Sequence, residues 1–482
     1  MPKLLSKILK NPTLMTWSSY FIQFGSGVFV LPLILSKFSQ IDISFWFLIG
    51  TILGMAKLAD SGFGPTLVRA VSYYKAGSET LPKNVEEYKK DVTTSSTPNF
   101  SGLSELLSTT NVIYTIVSSF LALILLTGGI MIIWNLISMA GHPFYLWFAY
   151  GMLVVNSFMT IQTIRWGSFM TGLNFVAEMN GFKSFIGAIK VLLFVILLLL
   201  DLKITYLIGV MLVESMVIFL YLRNYVFRWY HKNGIKLKKK WYFNKEIFKS
   251  IWPATWKTGG IFWGNYLTTS GNSIIIAQIS DVKLIASFLF TQRILMFVRR
   301  VSEAPFWANL PIIYNLMAGK NLPLIRKKLS ELIFLTLGLL IFSLLFTGAF
   351  GNDLLSILNI DTRLVPTFIF TIMAISILLE ENATIHQGIY TSTNHVPFLI
   401  PALATGVLIL GGGFLVVNKF GLIGIVLVQI IAQTLVNFWY PVWLSFKLVK
   451  WNLSGYLLDV IRNGSLLISR NIKIVAVKFQ TK

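Results

Sequence analysis

The feature that most constrains this chain is a series of long apolar runs, most of them nearly free of charge, separated by polar segments. About 20 mostly apolar residues are needed for a helix to cross a bilayer. About twelve runs meet that length. In the first half they are Thr13–Ser36, Ile43–Gly64, Val112–Trp134, Phe144–Ile164, Asn180–Leu200 and Ile204–Leu222. In the second half they are Ile251–Ile279, Leu284–Met317, Leu332–Phe350, Leu364–Tyr390, Val396–Val417 and Gly421–Phe446. The expected fold class is therefore all-α and integral to a membrane, with about twelve transmembrane helices in two six-helix lobes. Met1 to Lys10 is basic, but the apolar run after it is long enough to span and has no small-residue cleavage site, so it reads as the first span and not as a signal peptide.

Composition agrees. Only 12% of the 482 residues are charged, against about 25% in soluble domains. The chain has no cysteine, which excludes disulfides and thiolate metal sites. Its histidines, His142, His231, His386 and His395, lack metal-ligand spacing. No metal site and no cofactor is expected.

The formal net charge of +22 would suggest nucleic acid in a soluble protein. Its distribution argues otherwise. Bases crowd the N-terminus, the loop with Arg69, Lys75, Lys83, Lys89 and Lys90, the central loop Arg223–Lys249, the loop with Lys320 and Arg326–Lys328, and the C-terminal tail. The alternate loops carry mostly one base each: Lys37, Lys203, Lys283, Arg363 and Lys419. That is the positive-inside pattern, with an even number of spans and both termini cytoplasmic. No nucleic acid is required. Lys238–Lys240 suits anionic lipid headgroups. Ser78–Thr109 reads as a polar cytoplasmic loop with a short helix near Leu103–Leu107, and Trp451–Lys482 as a helix lying on the inner leaflet.

The basic central loop divides the chain. An N-terminal lobe is expected at 1–225, a cytoplasmic linker at 226–249, a C-terminal lobe at 250–450 and an amphipathic tail at 451–482. The halves share weak matches in order: Trp17 and Gly25 with Trp256 and Gly264, Ser39, Phe47, Leu48 and Met55 with Ser280, Phe288, Leu289 and Met296, and Ala76-Gly77 with Ala318-Gly319. Six spans per half give both halves one orientation, the parallel-repeat arrangement of transporters that bind substrate between rocking lobes.

Ionisable side chains in hydrocarbon are costly and mark cavities or pairs. Lys57 and Asp60 are spaced to pair on one helix face, and Arg299 and Arg300 are spaced to pair with Glu303. Each set precedes an expected helix break or hinge, at Gly62, Gly64 and Pro65 in one half and at Pro305 and Pro311 in the other. Lys190, Lys257 and Arg293 have no obvious local acid. With Lys57, Arg299 and Arg300 they form the candidate cationic lining of a wet cavity, whose natural ligand is a phosphate or diphosphate. The bland alternative for Lys190 is snorkelling to the interface. Asp60, Glu303 and Glu380 are candidates for coupling or charge pairing. Gly62-x-Gly64 and Gly411–Gly413 follow no strand and read as helix contacts, not phosphate loops. No Ser/His/Asp set, nucleotide motif or long catalytic external loop is present in the sequence, so no enzyme is expected.

The stretch Leu58-Ala59-Asp60-Ser61-Gly62-Phe63-Gly64-Pro65-Thr66-Leu67-Val68-Arg69, followed by Ser72-Tyr73-Tyr74-Lys75-Ala76-Gly77, resembles the second helix of bacterial polysaccharide-repeat flippases. These are the Wzx-type O-antigen and exopolysaccharide transporters of the MATE-like MOP superfamily. Gly388-Ile389-Tyr390 with Asn394-His395-Val396-Pro397 is similar to that family's turn between the tenth and eleventh helices, and Phe420-Gly421-Leu422-Ile423-Gly424 to the start of its twelfth. The resemblance covers Met1 to about Lys450. It implies a multi-pass protein of the bacterial plasma (inner) membrane. It implies an undecaprenyl-diphosphate-linked oligosaccharide as substrate, turned from the inner to the outer face for O-antigen, lipopolysaccharide or exopolysaccharide synthesis. It also implies a cationic cavity, coupling to a proton or sodium gradient, and work beside a polysaccharide polymerase complex. Two alternatives stay open: a MATE-type multidrug or cation antiporter, and a membrane-bound polysaccharide polymerase or glycosyltransferase. A scaffold subunit is a further possibility.

Overall fold

The computed structural model describes residues 10–39, 41–43, 45–46, 52–53, 59–60, 62–81, 97–139, 144–235, 242–276, 282–357 and 363–480. Every regular element of more than one turn among them is a helix. They fall into two compact units, one running up to Gly259 and the other beginning at Gly260.

The first unit opens with α1, Pro12–Lys37. Asn11 caps it, its side chain accepting from the amides of Thr13 and Leu14, and Pro12 occupies a first-turn position where no amide is needed. The next described helix, α2, is Phe63–Lys75. Helix α3, Phe100–Ile124, passes through a π turn at Leu125–Gly129 into α4, Ile130–Met139. Helices α5 (Phe144–Gly172), α6 (Val176–Leu199) and α7 (Ile204–Lys232) follow. Helix α8, Lys245–Ile276, carries the boundary between the units.

Helix α3 begins twelve residues before the apolar run expected at Val112 and absorbs the short helix expected near Leu103–Leu107. Asn99 starts it by accepting from the Gly102 amide. Its polar first turns hold because Leu103, Leu106 and Leu107 are buried, and Ser108 and Thr110 donate back to carbonyls one turn earlier. The expected linker at 226–249 is helical at both ends, with 236–241 outside the described residues.

Close packing in this unit uses glycine. Gly187 of α6 lies against Ile22 of α1, where a Cβ would come within 2.9 Å. Gly172 of α5 lies against Val71 of α2, where a Cβ would come within 2.6 Å. Small residues at such crossings let membrane helices approach closely.

The second unit comprises the rest of α8, α9 (Val282–Ala318), α10 (Leu322–Ile357), α11 (Thr367–Thr391), α12 (Leu399–Ala432), a π turn at Gln433–Phe438, α13 (Trp439–Val449) and α14 (Leu453–Gln480). Phe288, Leu295, Leu340, Phe370, Met373 and Ile425 belong to its core. Helix α12 is broken at Gly421, whose φ is 54°. Its two arms pack together, Gly412 facing Val428 and Gly424 facing Val416. Of the expected break or hinge at Pro305 and Pro311, no break occurs: α9 runs through both prolines. The tail helix α14 also packs on protein, with Gly464 against Phe334 of α10.

Large apolar side chains point outward, among them Phe144 at 80% exposure and Leu415 at 79%. Seven described helical stretches are long and apolar enough to cross a membrane, and the longest, Leu399–Val449, contains the break at Gly421. Such surface is stable against acyl chains and not against water. The chain is an all-α membrane protein.

Candidate functional site

A polar cavity of about 380 Å³ lies inside the first unit, among α1, α5, α6 and α7. Helix periodicity builds it. On α6, Lys183, Gly187 and Lys190 recur at four and three residues, so all point to one side. On α5, Asn156, Thr160 and Thr163 do the same, and α7 supplies Glu214 and Ser215. Glycine at position 187 keeps the α6 wall low.

Lys190 Nζ lies 2.9 Å from Glu214 Oε1, with 22% and 18% of the two side chains exposed. The expectation that Lys190 lacks an acid is thereby corrected. The acid comes from the neighbouring helix, and helix-to-helix pairing leaves no spacing signal in sequence. Lys183 brings a second cation to the same cavity. Among its described lining residues the cavity thus carries two ammonium groups, Lys183 and Lys190, and one carboxylate, Glu214. Lys183 was not singled out from the sequence. Its seven-residue spacing from Lys190 was the available signal.

The resemblance motif has a structural account. Asp60 is buried, and its Oδ1 accepts from the Tyr114 hydroxyl at 2.7 Å. Its Oδ2 accepts from the Gly64 amide at 2.9 Å, and its carbonyl from the Phe63 amide at 2.9 Å. Pro65 has no amide, and the Thr66 amide donates to the Gly62 carbonyl. Every first-turn donor of α2 is thus accounted for. Gly62 is left-handed at φ +82°, and a Cβ there would meet Gly259 N and Thr255 O of α8 at 2.6 Å. Arg69, which closes the motif, is buried and donates to Thr66 Oγ1 at 2.9 Å. Lys57 lies outside the described residues.

A second charge cluster sits in the other unit. Arg299 Nη1 lies 2.6 Å from Glu380 Oε1 and its Nε lies 2.7 Å from Glu381 Oε2, while Nη2 donates to Thr384 at 3.1 Å. Arg300, whose side chain is 69% exposed, lies 3.9 Å from Glu303 as its spacing implies, whereas Arg299 pairs with the other helix. Arg299 is an interhelical clamp between α9 and α11, because two carboxylates on the facing helix offer a better match to its planar fork than one on its own helix. Glu381, next to Glu380 in the sequence, was not put forward there as a site residue.

Lys257 is half-buried, with its Nζ 5.9 Å from the Trp256 ring. Arg293 is exposed on α9. Among the described residues neither forms an ion pair with a carboxylate. Among the described residues no cluster of three or more potential metal ligands occurs.

No family model and no curated protein matches the sequence. Solved structures do match. An outward-facing multidrug resistance MATE family transporter of the MOP superfamily aligns with TM-score 0.68, over 95% of this chain and 98% of that one, at 11% identity. A MATE protein in complex with MaD3S aligns with TM-score 0.70, over 92% and 98%, at 12% identity. This chain has a MATE-like fold. A third neighbour, a MOP superfamily transporter from Pyrococcus furiosus, aligns with TM-score 0.68 over 92% and 98% at 11% identity. That protein is described by the reverse polarity of its binding pocket, which suggests a different function. The MATE-like fold is the fold that the second-helix resemblance implied.

Proposed function

We propose that this chain is a transporter and not an enzyme, and that it carries a lipid-linked oligosaccharide with an anionic diphosphate, of the undecaprenyl type, across a bacterial plasma membrane for surface polysaccharide assembly. The observation that carries the reading is the polar cavity of the first unit, which Lys183, Lys190 and Glu214 line together with hydroxyl and amide side chains. A diphosphate gains charge-assisted hydrogen bonds from both ammonium groups. Hydroxyls and amides of Thr160, Thr163, Ser215 and Asn156 suit sugar hydroxyls. Exposure of this cavity to the two faces of the membrane in turn would move the head group. Lys257 and Arg293, each without a carboxylate among the described residues, supply further cations in their own units. Both termini are placed in the cytoplasm by the positive-inside pattern. The MOP neighbour, whose reversed pocket polarity suggests a different function, supports the idea that this fold serves more than one function.

The test is flipping of a fluorescent polyprenyl-diphosphate sugar in proteoliposomes. Lys183→Ala and Lys190→Ala are each expected to slow it roughly tenfold or more, the loss of about 1.4 kcal/mol of binding. Full activity in both variants would remove the reading.

A second reading, a multidrug or cation antiporter, is favoured by the second unit, where Glu303, Glu380 and Glu381 outnumber Arg299 and the exposed Arg300. It predicts drug export that depends on Glu380 and Glu381 and survives Lys183→Ala.

A further inference from the structure

The Lys190–Glu214 ion pair borders two cavities, not one. The polar cavity lies on one side of it. On the other lies an open groove of about 850 Å³ lined by α5, α6 and α7. Both residues line both spaces. The walls of the larger one are almost wholly apolar, built from Phe148, Met152, Ile189, Leu193, Val210 and Val213. Its polar groups gather in two places. One is the ion pair. The other is Lys203 with Tyr145 and Thr205, where Lys203 Nζ stands 5.0 Å from the Tyr145 ring. Glu214 follows Ile204, the first residue of α7, by ten positions, which at 1.5 Å per residue separates the two polar ends by about 15 Å. The exposure of Phe144, Phe148 and Val213 shows that the groove opens on the outer side of the unit.

This shape and charge pattern selects an amphiphile. A polar ligand would leave the apolar walls unsatisfied. A bare hydrocarbon would make no use of Lys203 at one end or of the ion pair at the other. A chain lying along the groove with an anionic group beside Lys190 satisfies both, and places whatever lies beyond that group in the polar cavity. The volume falls within the ~300–1,000 Å³ of sites that bury a ligand segment.

We infer that the groove between α5, α6 and α7 holds the head-proximal part of a polyprenyl chain, with its phosphate at Lys190 and its head in the polar cavity. The inference rests on the transport reading above and adds where the hydrophobic part of the substrate is held. The ion pair is the junction between the wet and the dry parts of the site.

The experiment uses the full-length protein in detergent and a long-chain prenyl phosphate bearing a diazirine in its first isoprene units. Labelled peptides are mapped by mass spectrometry. Labelling is expected within residues 144–152, 186–193 and 209–217, competed by unlabelled prenyl phosphate and not by an equal amount of phosphatidylglycerol. Gly209→Phe is expected to reduce that labelling roughly tenfold. A Cβ at Gly209 meets only Met152 Sδ, at 4.0 Å, so the added ring fills the groove without displacing backbone. Competable labelling confined to other helices would overturn the groove and leave the transport reading standing. Equal competition by phosphatidylglycerol would show a general lipid surface and also overturn the groove. No competable labelling anywhere would sink the transport reading itself. If Gly209→Phe does not fold, the wild-type label map decides alone.

Discussion

The Arg299 guanidinium is held by two carboxylates of α11 at once, with Nε 2.7 Å from Glu381 Oε2 and Nη1 2.6 Å from Glu380 Oε1. Glu381 is fully buried, so the pair has no water to replace a lost partner. Arg299→Ala leaves two carboxylates uncompensated, at a cost of about 3–5 kcal/mol for a broken buried pair. Thermal unfolding in detergent should show a large loss of stability. Arg299→Lys should rescue it only in part, because a point ammonium cannot make two parallel hydrogen bonds. The triple change Arg299→Met, Glu380→Gln and Glu381→Gln should recover most of it. Wild-type melting in Arg299→Ala would show that the clamp contributes nothing.

Gly62 is constrained twice, by its left-handed backbone and by the nearness of α8. A non-glycine residue there pays roughly 1–2 kcal/mol for φ alone, and its Cβ would press on the Gly259 amide and the Thr255 carbonyl, backbone atoms that cannot rotate away. Gly62→Ala should therefore lower the melting temperature clearly more than Gly411→Ala, since a Cβ at Gly411 meets nothing within 4 Å. Equal melting of the two variants would contradict the close approach.

Most of the helical framework was legible because a spanning helix is written as a contiguous apolar run. The π turn after Ile124 and the backbone break at Gly421 are not written that way. They cost a few hydrogen bonds and leave hydropathy unchanged. The second-helix motif was legible as a pattern, but its work was not. Asp60 was read for its charge, whereas the structure gives it two hydrogen bonds that start α2 and a third from Tyr114 of α3. The pairing of Lys190 with Glu214 was invisible for a different reason. Side chains on two helices meet through tertiary packing, and no separation along the chain encodes that meeting.

Tyr456 links the tail helix to the body of the second unit. Its ring lies 4.9 Å from that of Phe446, 5.3 Å from that of Trp451 and 5.7 Å from that of His386. Burial pushes its hydroxyl up to about 12 from the usual 10.0. The folded state therefore holds this proton more tightly than the unfolded state. The sign follows: the contribution is intact below pH 10 and is lost as pH rises from 10 towards 12, by roughly 3 kcal/mol in full. Protease protection of the tail should fall over that alkaline window. Tyr456→Phe should flatten the fall, and an unchanged profile in that variant would assign the alkaline loss to another group.

A charge reversal across the cavity separates pairing from substrate contact. Lys190→Glu alone places two carboxylates side by side, and Glu214→Lys alone adds a third ammonium beside Lys183. Each single variant should melt below wild type. The double variant, Lys190→Glu with Glu214→Lys, restores an ion pair of the same reach between the same two helices, so most of the stability should return. If Lys190 serves only to neutralise Glu214, transport returns with it. If its ammonium contacts the anionic group of the substrate, the carboxylate now on α6 repels that group, and transport stays low in a well-folded protein. The second outcome is expected, read as flipping rate beside melting temperature in the same four proteins. Recovery of both in the double variant would make the pair a structural strut.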